Sequence, residues 1–497
     1  MSSHTAPLRL ASAPWAIAAI VAAAILLRCI GVTSQWLWLD ELLAVNWSAH
    51  GPWATLVSIL RFDLHPPLYY LQLSLWALVS HDDVWLMANS IFWSTAAVVL
   101  LIYGVSKVYG LRAALYAGLL LALSPVALAY ADQLRMYTFI VFLIIWVWYA
   151  QERWLTGTAG RFGALWMIAS QISVIYSHSA GLVMLSGCVL YGAARVLAAG
   201  RRQTILRWLA IECAVGVMAL PAVVIALFRG AGHTRAPDLA ALVQTWGFLT
   251  FGVESELGVG LGALLFAALL ILAIYDKPIR LPLATLVFMP LIVAAAVSAF
   301  KPMWLARVFV PIVPFICLAI GVGIATLDQR SGGRARLWTS SLVLLAAVWA
   351  GIGMFQQFTR QKGDGFKPAA DLVRTMARPG DTILVDGDFL YWCFNWYYLG
   401  PDWGEPRHAY VLNADWARMM KRLPATTATI LGLNESDSSL PDGKATVALW
   451  DRREIAPKST ADLIVVRQQG SAQPMFPDRH LASSAHLQQL FVERWTR

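Results

Sequence analysis

The sequence predicts a polytopic α-helical membrane protein that ends in a small α/β domain. Of its 497 residues, 58% are hydrophobic and only 13% are charged, whereas typical soluble domains have about 25% charged residues. Apolar runs of about 20 residues, the length of a helix that crosses a bilayer, recur until Phe358 and then stop. Beyond Phe358 the composition is that of a soluble domain.

The apolar runs predict about eleven transmembrane helices. We place them at 14–32, 86–104, 113–130, 137–152, 162–178, 180–197, 208–228, 257–275, 282–299, 304–326 and 337–357. The first run lacks a signal-peptide cleavage pattern, so we interpret it as a retained helix. The run from Pro67 to Val79, of about 13 residues, is too short to span and is predicted to lie on the outer membrane surface.

The basic residues predict the orientation. Alternate loops carry Lys107, Arg112, Arg153, Arg161, Arg195, Arg201, Arg202, Arg207, Lys277, Arg280, Arg330, Arg334 and Arg336. Cytoplasmic loops are enriched in Lys and Arg, which places the N-terminus in the cytoplasm and the C-terminal domain on the outer side of the membrane. Orientation explains the net charge of +9 better than nucleic-acid binding does.

We therefore divide the chain into a membrane domain at 1–357, with a first outer loop at 33–85 that would be periplasmic in a bacterial envelope, and an α/β domain at 358–497. In the second domain the pattern predicts a helix, a turn and five strands. These are Lys367–Met376, then Pro379–Asp381, then Thr382–Val385, Ala409–Leu412, Thr427–Leu433, Thr446–Leu449 and Leu463–Arg467. The aromatic segment Phe389–Tyr398 is better explained as a buried or membrane-resting helix than as a sugar-binding platform.

Ionisable residues from distant segments are predicted to meet at the outer membrane face. They are Arg28, Asp40, Glu41, Asp63, His65, Asp132, Arg135, Tyr137, His178, Lys301 and Arg307. Charged groups next to lipid are costly and usually mark a functional site. Interfacial snorkelling explains Arg28 or Lys301 singly, but it explains the acidic residues poorly.

The residue types suggest transfer from a phosphate-linked lipid. A carboxylate such as Asp40 can act as a general base, and Arg135, His65, Lys301 and Arg307 can bind a phosphate. No Walker loop or dinucleotide-binding motif occurs.

Structural explanations exist for each candidate. The pair Asp40–Glu41 could be a helix cap, His65 a rigid turn before two prolines, His178 an interfacial histidine and Arg307 a snorkelling side chain. We predict no dedicated metal site, although a divalent metal at Asp40, Glu41 and His65 stays possible.

Several motifs resemble the GT-C membrane glycosyltransferases, most closely bacterial family 39 members, which are related to protein O-mannosyltransferases and lipid A aminoarabinose transferases. The motifs are Trp38-Leu39-Asp40-Glu41, His65-Pro66-Pro67-Leu68-Tyr69-Tyr70, Arg135-Met136-Tyr137, Tyr176-Ser177-His178, and Arg307 with Pro311 and Pro314. The resemblance covers residues 10–357. One departure is Gln133, where relatives often have Glu two positions before the Arg.

The resemblance implies an inverting transfer of a sugar from a polyprenyl-phosphate donor to a periplasmic acceptor, with the family's acidic residue at Asp40. It also implies that the membrane is a bacterial inner membrane, so that the C-terminal domain lies in the periplasm. Lipid A or another glycolipid or glycan is favoured as the acceptor. A protein acceptor with the same donor is the first alternative. A lipid-linked sugar transporter is the second, although it should carry its polar residues at the membrane midplane.

Overall fold

The computed structural model describes most of the chain, in two compact units. The described residues are 13–63, 65–228, 236–252, 256–330, 348–349, 351–352, 355, 359, 362, 364–378, 381–386, 388–400, 446–450, 462–469, 471, 476 and 479–496. The first unit comprises 1–32, 63–69 and 87–360, and the second comprises 33–62, 70–86 and 361–497. The loop predicted at 33–85 therefore groups largely with the C-terminal part of the chain.

The first unit is helical. Its helices are α1 (Ala13–Cys29), most of α5 (Asp83–Val108), α6 (Leu111–Leu123), α7 (Pro125–Ala129), α8 (Tyr137–Leu155), α9 (Gly163–Ile175), α10 (Gly181–Ala199), α11 (Arg202–Phe228), α12 (Leu239–Phe251), α13 (Glu256–Tyr275), α14 (Lys277–Pro282), α15 (Met289–Ser298) and α16 (Val313–Arg330). A π-helix, Leu283–Phe288, joins α14 to α15, and a 3₁₀ helix, Ala306–Ile312, precedes α16.

Six segments of the described chain are long and apolar enough to cross a membrane. They are Ala13–Ser34, Asp83–Val108, Gly181–Ala199, Arg202–Ala226, Lys277–Ser298 and Ala306–Gln329. Shorter apolar helices accompany them at Leu111–Leu123, Leu239–Phe251 and Gly258–Ile271. The polytopic helical class is confirmed, whereas the total of eleven spans stays a prediction because 337–357 lies mostly outside the described residues.

The span expected at 113–130 is wrong as one helix, because the chain breaks at Ser124. Pro125 has no N–H to donate to the carbonyl of Leu121, and Ser124 has an extended ψ of 124°. The Ser124 hydroxyl instead accepts a hydrogen bond from Ala127 N at 3.4 Å and caps α7. The sequence interpretation also missed α12, which Asp238 caps through a 2.7 Å hydrogen bond from Ala241 N.

Small residues allow α6 and α16 to pack closely. A side chain at Gly321 of α16 would lie 2.6 Å from the backbone nitrogen of Ala117 and 2.9 Å from the carbonyl oxygen of Ala113, both on α6. Helices in membranes pack through such small residues, since lipid gives no hydrophobic drive for helix association. Gly321 therefore sets the distance between these two helices.

The second unit combines short helices with a sheet. Its helices are α2 (Leu39–Ser48), α3 (Pro52–Phe62), most of α4 (Leu68–Ala77), α17 (Phe366–Met376) and α18 (Asp388–Tyr398). The short α4 occupies the run predicted to be interfacial, and α17 matches the predicted amphipathic helix. Helix α18 is the aromatic segment; its Tyr391, Cys393, Phe394 and Trp396 are buried, and it packs against α2 and α17.

The sheet has five described strands in the order β2-β1-β3-β5-β4. The strands are β1 (Thr382–Asp386), β2 (Thr446–Trp450), β3 (Leu463–Gln468), β4 (His480–Leu487) and β5 (Leu490–Thr496). Strands β1, β2 and β3 are parallel, and β5 pairs antiparallel with both β3 and β4. Three strands match the prediction, the β4–β5 hairpin was missed, and the strands expected at 409–412 and 427–433 lie outside the described residues.

Candidate functional site

His65 and His178 form the centre of a polar cluster in the first unit. His65 belongs to the short segment 63–69, which is tied to the end of α9 by a 2.8 Å hydrogen bond from Leu68 N to the carbonyl of Tyr176. The backbone N–H of His65 also donates to Asp63 Oδ1 at 2.6 Å. The two imidazole rings lie 4.6 Å apart between centroids. We call His65, His178, Arg135 and Arg307 the histidine–arginine cluster.

The hydrogen bonds of the two imidazoles indicate which nitrogen carries the proton. Ala180 N donates to His178 Nδ1 at 2.9 Å, so a neutral His178 holds its proton on Nε2. His65 Nδ1 lies 3.1 Å from the Ser179 hydroxyl and 3.5 Å from Ser179 N. A backbone N–H can only donate, so His65 Nδ1 is an acceptor and carries no proton in the neutral ring. Both rings therefore keep an Nε2–H available as a donor.

Both histidines are neutral at physiological pH. Burial, as the largest cause, and the positive charges of Arg135 and Arg307 together lower the pKa of His65 to about 3. Burial, His65 and the same two arginines hold the pKa of His178 well below its ordinary value. The positive charge of the cluster therefore comes from the two arginines, and the imidazoles add neutral donors.

Two different elements bring the arginines to the histidines. Arg135 is 9% exposed and lies two residues before the first residue of α8, Tyr137. Arg307 is half-buried in the 3₁₀ helix that packs against α8. The Tyr137 ring lies 6.4 Å from that of His178 and 5.0 Å from that of Tyr130. The predicted residues His65, Arg135, Tyr137, His178 and Arg307 are thus neighbours within this unit.

A second cluster, in the second unit, surrounds the acidic pair. Glu41 is fully buried at the start of α2. Its Oε2 accepts a 3.1 Å hydrogen bond from Trp38 N, which caps the helix, and its Oε1 lies 2.8 Å from Lys362 Nζ. Lys362 is itself only 1% exposed in its side chain. Glu41 thus belongs to a buried ion pair that ties the first loop to the beginning of the C-terminal segment.

Asp40, by contrast, is half-buried and lies near another carboxylate, Asp364. The Oδ2 of Asp364 accepts a hydrogen bond from Leu39 N at 2.9 Å. Burial raises the pKa of Asp364; the Leu39 N–H opposes this effect, and the negative charge of Asp40 adds to it. Asp40 and Asp364 therefore lie close enough for the charge of Asp40 to affect the pKa of Asp364.

Two predicted residues have other partners. Arg28 is 1% exposed, and it donates to Ser94 Oγ and to the carbonyls of Leu121 and Ala122, which the break before α7 leaves without helical donors. Lys301 donates to the carbonyl of Ala226 at the end of α11. These contacts hold both side chains against backbone carbonyls, and a role of either residue in binding the substrate stays a prediction.

The sequence interpretation missed Lys362, Asp364 and Ser179. Lys362 and Asp364 lie just past the last apolar run, where charged residues are ordinary and carry no signal of their own. Ser179 directly follows His178 and could have been considered with it. Among the described residues, no group of three His, Cys, Asp or Glu side chains is placed to hold a metal ion.

Comparison with solved structures gives the fold. The structure of ArnT from Cupriavidus metallidurans in the apo state matches with a TM-score of 0.59, and that of ArnT bound to undecaprenyl phosphate with 0.60. Each is 13% identical in sequence and covers 97% of this chain and 98% of its own. The chain has the same fold as ArnT, which is the GT-C fold expected from the sequence motifs.

A GT-C oligosaccharyltransferase, AglB from Archaeoglobus fulgidus, matches less well. Its TM-score is 0.49 at 12% identity, with 91% of this chain and 69% of AglB covered. No protein-family model matches the sequence, and no curated protein matches it by sequence. The six membrane-length apolar helices of the described residues make the chain a multi-pass membrane protein, and its C-terminal part contains a sheet.

Proposed function

We propose that this protein is an inner-membrane glycosyltransferase that moves a sugar from a polyprenyl-phosphate carrier to an envelope acceptor on the periplasmic side. The observation that carries the proposal is the histidine–arginine cluster in a chain with the GT-C fold. The ArnT structure that holds undecaprenyl phosphate supports a lipid-linked donor.

The cluster suits a phosphate that becomes more negative as it leaves the sugar. An arginine offers two parallel N–H donors to phosphate oxygens, and the neutral Nε2–H groups of His65 and His178 add donors without adding charge. In the transfer, the acceptor oxygen or nitrogen attacks the anomeric carbon, and the bond from that carbon to the phosphate oxygen breaks. The polyprenyl phosphate leaves with the electron pair.

Asp40 is our proposed general base, which takes the proton of the attacking hydroxyl or amine. Glu41 was also a catalytic candidate, but its two oxygens bind Trp38 N and Lys362. We therefore assign Glu41 the role of positioning α2 and the adjacent Asp40. Lipid A or another glycolipid or glycan remains our favoured acceptor, with protein as the alternative.

Transfer by the purified protein in detergent tests the enzymatic proposal, because micelles have no two sides between which a transporter could act. A short-chain polyprenyl-phosphate sugar serves as the donor, and lipid A and a peptide serve as acceptors. Release of polyprenyl phosphate coupled to a glycosylated acceptor is the expected result. If a folded preparation transferred no sugar to lipid A, to the peptide or to any envelope fraction, that result would contradict the proposal.

Variants of the two arginines test the phosphate contacts. Arg135→Ala and Arg307→Ala should each cost about 2–5 kcal/mol of transition-state stabilisation in kcat/KM. The lysine variants should also be impaired, since an ammonium group lacks the planar pair of donors. Arg161→Lys, an exposed residue in another loop, is the matched control. Small, additive losses in the double variant would mean that the two arginines bind no common group.

A further inference from the structure

A cavity at the other ends of α8 and α10 carries a second set of charged groups. It has a volume of about 740 Å³, and the buried Glu152 lies in its wall. Glu152 Oε1 accepts hydrogen bonds from the Tyr191 hydroxyl at 2.5 Å and from Arg195 Nη1 at 2.7 Å. Arg195 also donates to the Tyr191 hydroxyl at 2.7 Å. This network fixes the Arg195 guanidinium at the cavity before any ligand arrives.

The cavity has an excess of positive charge. Lys107 and Arg153 line it together with Arg195, whereas Glu152 is its one acidic residue among the lining residues described. Both Lys107 and Arg153 are exposed; Lys107 lies over the Tyr103 ring at 5.5 Å, and Arg153 donates to the carbonyl of Thr158 at 2.7 Å. Thr156 and Thr158 line the same cavity, and their hydroxyl groups hydrogen-bond to each other at 3.0 Å. The chemistry suits a phosphate that carries a polar group.

Two apolar clefts adjoin this cavity. One, of about 380 Å³, shares Tyr149 and Arg153 with it and continues along Trp146 and Phe142. The other, of about 640 Å³, shares Tyr103 with it and continues along Val99 towards Phe92. The two clefts also meet each other at Leu100 and Phe142. The clefts are lined mainly by aliphatic and aromatic side chains of the membrane helices, which suits hydrocarbon chains.

The cavity is distinct from the histidine–arginine cluster. Tyr137 is the first residue of α8, and Glu152 lies near the end of the same helix. At 1.5 Å per residue the two are separated by about 22 Å along the helix axis. On the orientation predicted from the basic loops, the cavity faces the cytoplasm.

We propose that this cavity and its two clefts bind an anionic glycerophospholipid. Its phosphodiester would lie beside Lys107, Arg153 and Arg195, its polar group would meet the threonine hydroxyls, and each acyl chain would occupy one cleft. Polyprenyl phosphate shares the phosphate chemistry but has a single chain. Two clefts that each adjoin the head cavity therefore favour a lipid with two chains.

Lipid retention measured by native mass spectrometry in detergent tests this proposal. The variant is Lys107→Gln/Arg153→Gln, and the control is Arg201→Gln/Arg202→Gln. The control removes the same charge from exposed positions next to the end of α10. Phosphatidylglycerol, phosphatidylethanolamine and undecaprenyl phosphate are added separately and in competition. Both variants alter exposed side chains, and their thermal unfolding is recorded to verify folding.

Wild type and control should retain phosphatidylglycerol, and the Lys107→Gln/Arg153→Gln variant should bind it roughly thirtyfold more weakly, since each cation near an anionic lipid contributes about 1 kcal/mol. Equal retention in the two double variants would overturn the site. If the zwitterionic phosphatidylethanolamine bound as tightly as phosphatidylglycerol, the bound lipid would be ordinary annular lipid and the proposed site would be refuted. If equimolar undecaprenyl phosphate displaced phosphatidylglycerol, the assignment of a lipid with two chains would be refuted.

Discussion

At the residue scale, the neighbouring carboxylates of Asp40 and Glu41 have different surroundings. Glu41 is buried and paired with Lys362, whereas Asp40 is half-buried. A fully buried carboxylate is poorly placed to accept a proton from a substrate, whereas a substrate can reach a half-buried one. Substitution of Asp40 should therefore lower the rate of transfer, whereas substitution of Glu41 should lower the stability of the fold.

We expect Asp40→Asn to lower kcat/KM by about 10²–10⁴-fold while leaving thermal stability close to that of the wild type, because it removes a base and keeps the shape. The measurement is steady-state transfer in detergent, with the unfolding temperature recorded on the same preparation. Transfer retained within about tenfold would contradict the role of Asp40 as a general base.

Glu41→Gln should instead destabilise the fold by about 3–5 kcal/mol, because it removes the buried negative charge that pairs with the ammonium charge of Lys362. The second change in Glu41→Gln/Lys362→Met removes that charge and should restore part of the lost stability. Thermal unfolding of the two single variants and the double variant measures the coupling. Simple additivity would show that the ion pair does not stabilise the second unit.

His65 should make the protein sensitive to acid. Its pKa is lowered from an ordinary value of 6.5 to about 3, so between these values the unfolded chain binds a proton that the folded protein does not. Stability therefore falls as the pH falls from 6.5 towards 3. The unfolding temperature of His65→Gln should fall less steeply over this interval. The exposed His486→Gln serves as a control, and a slope shared by all three proteins would contradict the prediction.

At the element scale, the contact between α6 and α16 depends on the absence of a side chain at Gly321. Gly321→Ala should destabilise the first unit by about 1–3 kcal/mol, because the methyl group would meet the backbone of α6. Gly216→Ala, in α11, is the matched control, since no heavy atom lies within 4 Å of the added carbon. Unfolding in one detergent should separate the two variants; equal stabilities would mean that the helices can move apart freely.

The elements also show how far a local pattern predicts structure. Hydrophobic runs located most of the helices, because burial in lipid selects apolar residues over a whole span. The run 113–130 is equally apolar on both sides of Ser124, so hydropathy alone could not detect the break that Pro125 causes. The unpaired carbonyls at that break explain why Arg28 is buried inside the first unit, where the sequence had suggested a surface role.

At the scale of the whole molecule, the basic loops predict on which side each part of the chain lies. In a variant lacking the five native cysteines, Ser484→Cys on β4 should react with a membrane-impermeant thiol reagent in spheroplasts. Arg202→Cys, at the start of α11, should react only after the membrane is permeabilised. Labelling is read by gel shift. The reverse pattern would place the C-terminal sheet in the cytoplasm and contradict a periplasmic reaction.

The sequence by itself determined the membrane class, most helix positions, the amphipathic α17 and the residue types of the candidate site. These follow from hydropathy and spacing, which are properties of short stretches of chain. Only the tertiary structure decided which ionisable residues are partners. It joined His65 to His178 and Glu41 to Lys362, and it gave Arg28 and Lys301 to backbone carbonyls. Such pairings depend on how distant helices pack, and the cost of burying an unpaired charge then fixes them.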